Sequence, residues 1–435
     1  MSAPGRLLRL LGVTFGVTVA MGEMIGPGIL RTPSLVAAEV PVAAVILALW
    51  AFGILHALLQ ANVLAELGTM LPRAGGQFVF ARRAFGDAVG MAVGWLMWCA
   101  HLVGLAASAI AFAEFLSIVW PEAAFHEKAV TVSLLLVLFA ANSVGLREGR
   151  IVQIGTTLVK AALLALFVGA AFWLLPSRAA SAPPHTIPIG LFALAAAYQL
   201  IRGAYNGWLA PVYFAEESVT PARNIPKSLF LGIVLTGTLY LLVNAALLYA
   251  LGSSQMAGGP LPYLAILSRF GGSGMNVLFA AGAMITALSC ANANVMIAPR
   301  VLFALSRENL LPASLQAVNA GGSPHVAFAL TAAVAIVVAA SGGFRFVFGM
   351  IGTLATLSCL VTELAYFRLR LREPERTRPW KAVLHPWLPG FAVGIDAALL
   401  VSFVFADPRG AAFAMALCLL SVPFVLAVKR RPAAL

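Results

Sequence analysis

Two interruptions in long apolar stretches carry the chemistry of this chain. Gly22-Glu23-Met24-Ile25-Gly26-Pro27-Gly28-Ile29 breaks the first such stretch, and Arg202-Gly203-Ala204-Tyr205-Asn206-Gly207-Trp208 breaks the sixth. A helix broken in mid-span leaves carbonyls at the end of its first half and amide hydrogens at the start of its second. The amides of Gly28 and Ile29 would form a positive dipole end suited to a carboxylate. Pro27 has no amide hydrogen, so it enforces the break without joining that cradle. Carbonyls near Met24, Gly203 and Asn206 suit an ammonium group. A ligand with both groups on adjacent atoms is an α-amino acid. Met24, Ile25, Gly26, Gly28, Ile29, Gly203, Tyr205, Asn206, Gly207 and Trp208 are therefore the candidate substrate-binding residues, with Tyr205 and Trp208 as aromatic gates over the ligand. The blander alternative is that these glycines and prolines only permit close helix packing. Two breaks in matching positions of two halves favour a transporter's binding site, because unpaired backbone inside a bilayer is tolerated only where it lines a cavity.

The elements that must hold these breaks are membrane helices. The 435 residues are 61% hydrophobic and 10% charged, with a mean hydropathy of +0.95, far from the composition of a soluble domain. Apolar runs of spanning length recur along the chain. Twelve spans are expected, centred near Ala20, Leu55, Leu102, Leu136, Leu163, Ala204, Leu239, Leu288, Ala333, Thr356, Ala398 and Leu417. Broken spans 1 and 6 are five apart. An odd unit of five re-enters the membrane from the opposite side, giving an inverted repeat of spans 1–5 against 6–10 with two C-terminal helices added. The expected bounds are about 10–175 and 188–372 for the repeats and 385–430 for the last two helices, in a single transmembrane domain over 1–435. Outer connections are expected at 176–188 and, rich in Gly, Pro and Ser, at 252–274.

The net charge of +12 could suggest nucleic acid, but its distribution argues for topology. With the N-terminus taken as cytoplasmic, twenty of the 28 Lys and Arg residues fall in inner loops and five in outer ones, and Arg31, Lys160 and Arg202 fall within spans. This asymmetry places both termini in the cytoplasm and predicts a multi-pass protein of the plasma membrane, in contact with lipid and not with nucleic acid. The abundance of Arg and Ala fits a bacterial inner membrane. Cys99, Cys290, Cys359 and Cys418 all fall in apolar segments without metal-binding spacing, so they are expected to be free, buried thiols. The first apolar run lacks a cleavage pattern and is expected to stay attached.

Charged residues at membrane depth are the remaining candidates. Lys160 sits about ten residues beyond Arg150, which at ~1.5 Å per residue is roughly midway across. It is either a coupling group or a paired structural lysine. Glu23, beside the first break, can carry a coupling proton, balance Lys160 or Arg202, favour a cationic substrate, or sit protonated in the bundle. Arg202 can dock a second anionic group or pair with Glu23. His101 reads as a satisfied core histidine. Glu66 and Glu217 read as loop-anchoring or inner-gate groups paired with arginines. Glu114, Glu363 and Asp396 receive no site role.

Several strings together resemble one family. Ile25-Gly26-Pro27-Gly28-Ile29 is similar to the Gly-Ser-Gly break in helix 1 of the amino acid–polyamine–organocation superfamily. Ala65-Glu66-Leu67-Gly68-Thr69-Met70-Leu71-Pro72-Arg73-Ala74-Gly75-Gly76 resembles its signature at the inner end of helix 2. Ala204-Tyr205-Asn206-Gly207-Trp208, the Glu216-Glu217 to Lys227 string, and Arg300 to Pro312 with Ser323-Pro324 resemble its helix 6 break and following connections. Within the superfamily, the chain is similar to the L-type amino acid transporters. The resemblance implies the five-plus-five fold, alternating access, and amino acid transport by exchange or proton coupling. It also implies that Lys160 stands in for a sodium ion beside helices 1 and 8, making sodium dispensable. Pro27 replaces the family's serine, and Glu23 stands where a small or apolar residue is usual. The chain lacks the outer cysteine with which partnered L-type transporters bond an ancillary chain, so no disulfide-linked partner is expected. No cofactor is implied. The rival readings are a polyamine or cationic amino acid exchanger, an amino acid sensor that moves nothing, and an intramembrane enzyme, for which zinc, nucleophile-elbow and paired-aspartate motifs are absent.

Overall fold

Helices account for all the regular structure among the described residues. The computed structural model describes residues 12–73, 75–144, 147–175, 189–259, 261–319, 324–341 and 344–429. The 176–188 connection and the terminal arginines Arg6, Arg9, Arg430 and Arg431 lie outside them. In chain order the helices are α1 (Val13–Met24), α2 (Pro27–Glu39), α3 (Ala43–Met70), α4 (Gln77–Phe85), α5 (Asp87–Val119), α6 (Glu127–Val144), α7 (Arg147–Leu174) and α8 (Leu191–Ala204). They continue with α9 (Ala210–Tyr213), α10 (Pro221–Ala257), α11 (Pro262–Arg307), α12 (His325–Ser341), α13 (Phe344–Arg372), α14 (Trp387–Ala406), α15 (Pro408–Leu419) and α16 (Val422–Lys429). Every expected span centre falls inside one of them. Among the described residues nine helices are long and apolar enough to cross a membrane, and α1 with α2, bent by 44° at their junction, pass the same test as a pair. α8 and α12 are apolar but shorter.

The expected loop over 252–274 is largely helical. α10 runs on to Ala257 through a kink at Gly252, where φ is 73°, and α11 already begins at Pro262. Glycine permits that positive φ, so the residue expected to begin the connection marks a bend within α10 instead.

Small residues bring the helices together, as expected where lipid supplies no hydrophobic drive for association. A Cβ placed at Gly94 would fall 2.5 Å from Leu305, and one at Gly104 would fall 3.3 Å from Asn294, so α5 and α11 lie close along their lengths. Gly232 of α10 meets Ala20 of α1 in the same way, and Gly237 meets Ile54 of α3. The outside of the bundle carries exposed Leu136, Val137, Leu166, Leu278, Val337 and Phe405, the surface a lipid-facing protein presents.

One end of the bundle is tied by a buried carboxylate. Glu66, near the end of α3, accepts from Arg370 Nε at 2.7 Å and Nη2 at 2.6 Å, and from the Ala382 amide at 2.7 Å. Arg378 Nε lies 3.0 Å from its other oxygen. Asn62, one turn earlier, exchanges both hydrogen bonds with the Val383 backbone. The segment between α13 and α14 is thus strapped across the end of α3. All four cysteines are free; three are buried and Cys418 is half-buried.

Candidate functional site

The break in the first span falls where its residues require. α1 ends at Met24, Ile25 leaves helical geometry with ψ 81°, and α2 restarts at Pro27 with Gly26 as its N-cap. Proline at the first helical position gives up an amide that would lack an intrahelical partner anyway. No side chain caps the start of α2, so the Gly28 and Ile29 amides keep the orphan character of a helix start.

The other side of the break differs from the expectation of free carbonyls. Met21 O accepts from the Ile25 amide at 2.7 Å. Gly22 O accepts from Lys160 Nζ at 2.6 Å, and Glu23 O receives the Cys290 thiol at 3.7 Å. Met24 O accepts from the Gly26 amide at 2.7 Å and from Tyr240 Oη at 2.5 Å. Side chains of α7, α10 and α11 therefore fill the last turn of α1, and Met24 O has both lone pairs in use. Gly203 O likewise accepts from the Asn206 amide at 3.1 Å. An open acceptor beside the break is supplied by a side chain. Glu23 is buried, and its Oε2 has no hydrogen-bond partner.

Both breaks open on one small cavity of about 40 Å³, bounded by Glu23, Met24, Gly26 and Gly28 on one side and Gly203 and Asn206 on the other. Ser108, Cys290, Asn294 and Phe348 complete its polar and aromatic wall. By this measure it holds about three waters, and even glycine has more heavy atoms than that. As it stands the cavity is too small for a free amino acid.

Of the candidate residues, Ile25, Ile29, Tyr205, Gly207 and Trp208 do not line this cavity. Tyr205 turns away: its hydroxyl donates to Trp50 O at 3.0 Å and its ring packs on Trp50 and Tyr240. Trp208 is fully buried with its indole nitrogen unpartnered. Ile29 is fully buried, and its carbonyl accepts from Tyr263. Gly207, at φ 112°, backs onto Glu23, where an added Cβ would lie 2.8 Å from the Glu23 carbonyl carbon. Arg202 does not pair with Glu23; its guanidinium donates to Gln60 and Cys359.

Lys160 is 1% exposed and bridges Gly22 O to Ser289 Oγ, the latter at 3.2 Å, joining α1, α7 and α11. His101 is buried against Asn294 Oδ1 at 2.9 Å. Near the strapped end, Phe15 of α1 packs edge-on against Phe214. Burial holds the Glu217 carboxyl there above its usual range; Arg300 opposes the shift and Glu216 adds to it. Among the described residues no cluster could hold a metal ion.

Sequence reasoning missed Ser108, Asn294 and, above all, Phe348 of α13. Its ring sits between the start of α2 and the end of α8: a Cβ at Gly28 would meet it at 2.7 Å and one at Gly203 at 3.1 Å. Nothing in an isolated apolar helix distinguishes this phenylalanine from its neighbours. Truncating it widens the cavity, so in Phe348→Ala the range of amino acids that compete for the site is expected to extend to larger side chains. Competition measured with a series of increasing side-chain volume checks this, and an unchanged size limit would show that the ring does not bound the ligand.

Comparison with known proteins gives consistent matches. The family model described as amino acid permease matches residues 8–428. The chain is 23% identical over 435 residues to the serine/threonine exchanger SteT of Bacillus subtilis, covering 98% of each protein. It is 26% identical over 440 residues to the large neutral amino acids transporter small subunit 2 of Homo sapiens, covering 96% of this chain and 80% of that one. It is also 29% identical over 321 residues to an uncharacterized transporter of Mycobacterium tuberculosis, covering 73% of this chain and 70% of that one.

Proposed function

We propose, from the premise that this chain belongs to the amino acid permease family, that it moves an α-amino acid across the membrane by alternating access, as an exchanger or a proton-coupled symporter. The observation that carries this reading is the single cavity onto which both helix breaks open, with an uncapped helix start on its wall. The substrate carboxylate is received at the positive end of α2 by the amide of Gly28, which lines the cavity. Because Met24 O is already saturated, the substrate ammonium is received by Glu23 Oε2, with Asn206 beside it. Phe348 closes the site, and the half-helices α2 and α8 part from α13 to open it. The names of the relatives, a serine/threonine exchanger and a large neutral amino acids transporter, support a neutral substrate.

The wider frame of this reading has twelve spans. Broken spans α1–α2 and α8–α9 head two inverted repeats, and α14 and α15–α16 follow them. Both termini lie in the cytoplasm of a bacterium. Lys160 holds the place of a cation between α1 and α11, which makes sodium unnecessary. With no cysteine between Val119 and Glu127, the protein works without a disulfide-linked ancillary chain.

Glu23 favours a second reading, a cationic amino acid or polyamine exchanger, since a buried carboxylate with one oxygen open also suits a second ammonium. Counterflow in sodium-free proteoliposomes separates the two. Labelled serine or leucine is expected to accumulate against a preloaded neutral amino acid, with little competition from arginine or putrescine. Strong competition by those cations would transfer the assignment to the second reading. No uptake of any tested substrate by folded protein would overturn the transport reading.

A further inference from the structure

A second polar cluster lies apart from the substrate cavity, between α3, α8, α13 and α14. Its members are His56, Gln60, Tyr198, Arg202, Cys359, Glu363 and Asp396, all at most 3% exposed. Asp396 Oδ2 accepts from Gln60 Nε2 at 2.7 Å, and Asp396 Oδ1 lies 2.9 Å from His56 Nε2. His56 Nδ1 is 2.8 Å from Tyr198 Oη. Arg202 Nη2 donates to Gln60 Oε1 at 3.2 Å and to Cys359 Sγ at 3.3 Å. Glu363 stands against Asp396 within hydrogen-bond reach, and within electrostatic reach of Arg202, and no N–H or O–H donor of a neighbouring group reaches either of its oxygens. From α4, Gln77 closes the remaining side by donating to Thr362 Oγ1 at 3.0 Å.

The charges decide what this cluster holds. Two carboxylates face one guanidinium, and His56 and Tyr198 are neutral in their ordinary forms. With both carboxylates ionised the cluster carries a net negative charge in the bundle interior, which costs several kcal/mol. One proton removes it. Asp396 already accepts from Gln60 and touches His56, an environment for the anion. Glu363 accepts from nothing, an environment for the acid, and a protonated Glu363 can donate to Asp396.

We propose that Glu363, with Asp396, is a proton-binding site of this protein, separate from the substrate cavity. The proton resides on a Glu363 oxygen and leaves to water when the cluster opens. Arg202 is the residue before Gly203, which lines the cavity. Any displacement of α8 that opens the cavity moves the guanidinium relative to the two carboxylates and changes their proton occupancy. This link to substrate movement rests on the transport reading above; the bound proton does not.

Two measurements test the proposal separately. Infrared spectroscopy of the purified protein in nanodiscs at neutral pH is expected to show a protonated-carboxyl stretch that Glu363→Gln removes and Glu23→Gln retains. If Glu363→Gln does not fold, Asp396→Asn replaces it, and the expected result is a shift of the same band as the acid loses its anionic acceptor. A band unchanged in the folded variants overturns the site. In proteoliposomes carrying a pH-sensitive dye, substrate entry is expected to move protons, and the protons moved per substrate are expected to fall in Glu363→Asp. An unchanged ratio overturns the coupling. A wild type that binds the proton in the infrared assay but moves no substrate upholds the site and overturns the transport reading instead.

Discussion

Lys160→Met is expected to lower exchange by one to two orders of magnitude while leaving a folded protein in the membrane. The ammonium caps Gly22 O and reaches Ser289 Oγ. Gly22 lies in the last turn of α1, so its carbonyl has no amide to accept from within that helix. A charge-assisted bond of this kind is worth about 1.5–3 kcal/mol, which corresponds to roughly 10- to 100-fold in a rate that depends on it. Methionine keeps most of the volume and removes the donor, so packing of α7 survives while the tie between α1 and α11 does not. Counterflow at matched protein amounts reads the loss, and size-exclusion profiles establish folding. Wild-type flux in a folded variant would remove Lys160 from the mechanism.

Gly207→Ala is expected to cost about 2–6 kcal/mol and to remove most of the folded protein. Two effects combine. An alanine at φ 112° is strained by about 1–3 kcal/mol. Its Cβ would also stand 2.8 Å from the Glu23 carbonyl carbon, and crowding a packed interior adds about 1–3 kcal/mol. Glu23 Cγ stands nearer still, at 2.5 Å, and could turn away, but the Glu23 carbonyl carbon is backbone, so no rotamer change relieves the contact fully. Thermal unfolding in detergent provides the measurement, and an unchanged midpoint would show that the two breaks are less tightly apposed than described. Serine is expected to behave like alanine, because the strain comes from the presence of a Cβ and not from polarity.

The parts of the fold that were legible in the sequence are those with a local cause. Gly26-Pro27-Gly28 announces a break because proline lacks a donor and glycine tolerates extended and turned backbone. Lys160 announces burial because a charge at that depth has nowhere else to go. Tyr205 and Trp208 show the limit of such reasoning. They sit beside the second break, but the turn there directs Tyr205 to Trp50 and Tyr240, and adjacency along the chain says nothing about direction. Phe348, Ser108 and Asn294 were illegible for a different reason. Their helices are apolar on every side, so no polar face marks which side looks inward. The Asp396 cluster joins residues as far apart as Gln60 and Asp396, 336 positions in the chain, a pairing that one sequence does not display. The saturation of Met24 O was hidden in the same way, since its donor Tyr240 lies 216 residues on.

The strap at Glu66 has a consequence for biosynthesis. Glu66 and Arg370 are separated by 304 residues. At about 5–20 residues per second, roughly 15–60 s pass between the emergence of the carboxylate and that of its first arginine. During that interval α3 is already in the bilayer, and Glu66 depends on water at the membrane surface for its hydrogen bonds. Closure of this end of the bundle is therefore among the last events of synthesis. A chain that stops short of Arg370 therefore keeps a solvated, unpaired Glu66 carboxylate at the end of α3 and lacks the strap of the completed copy.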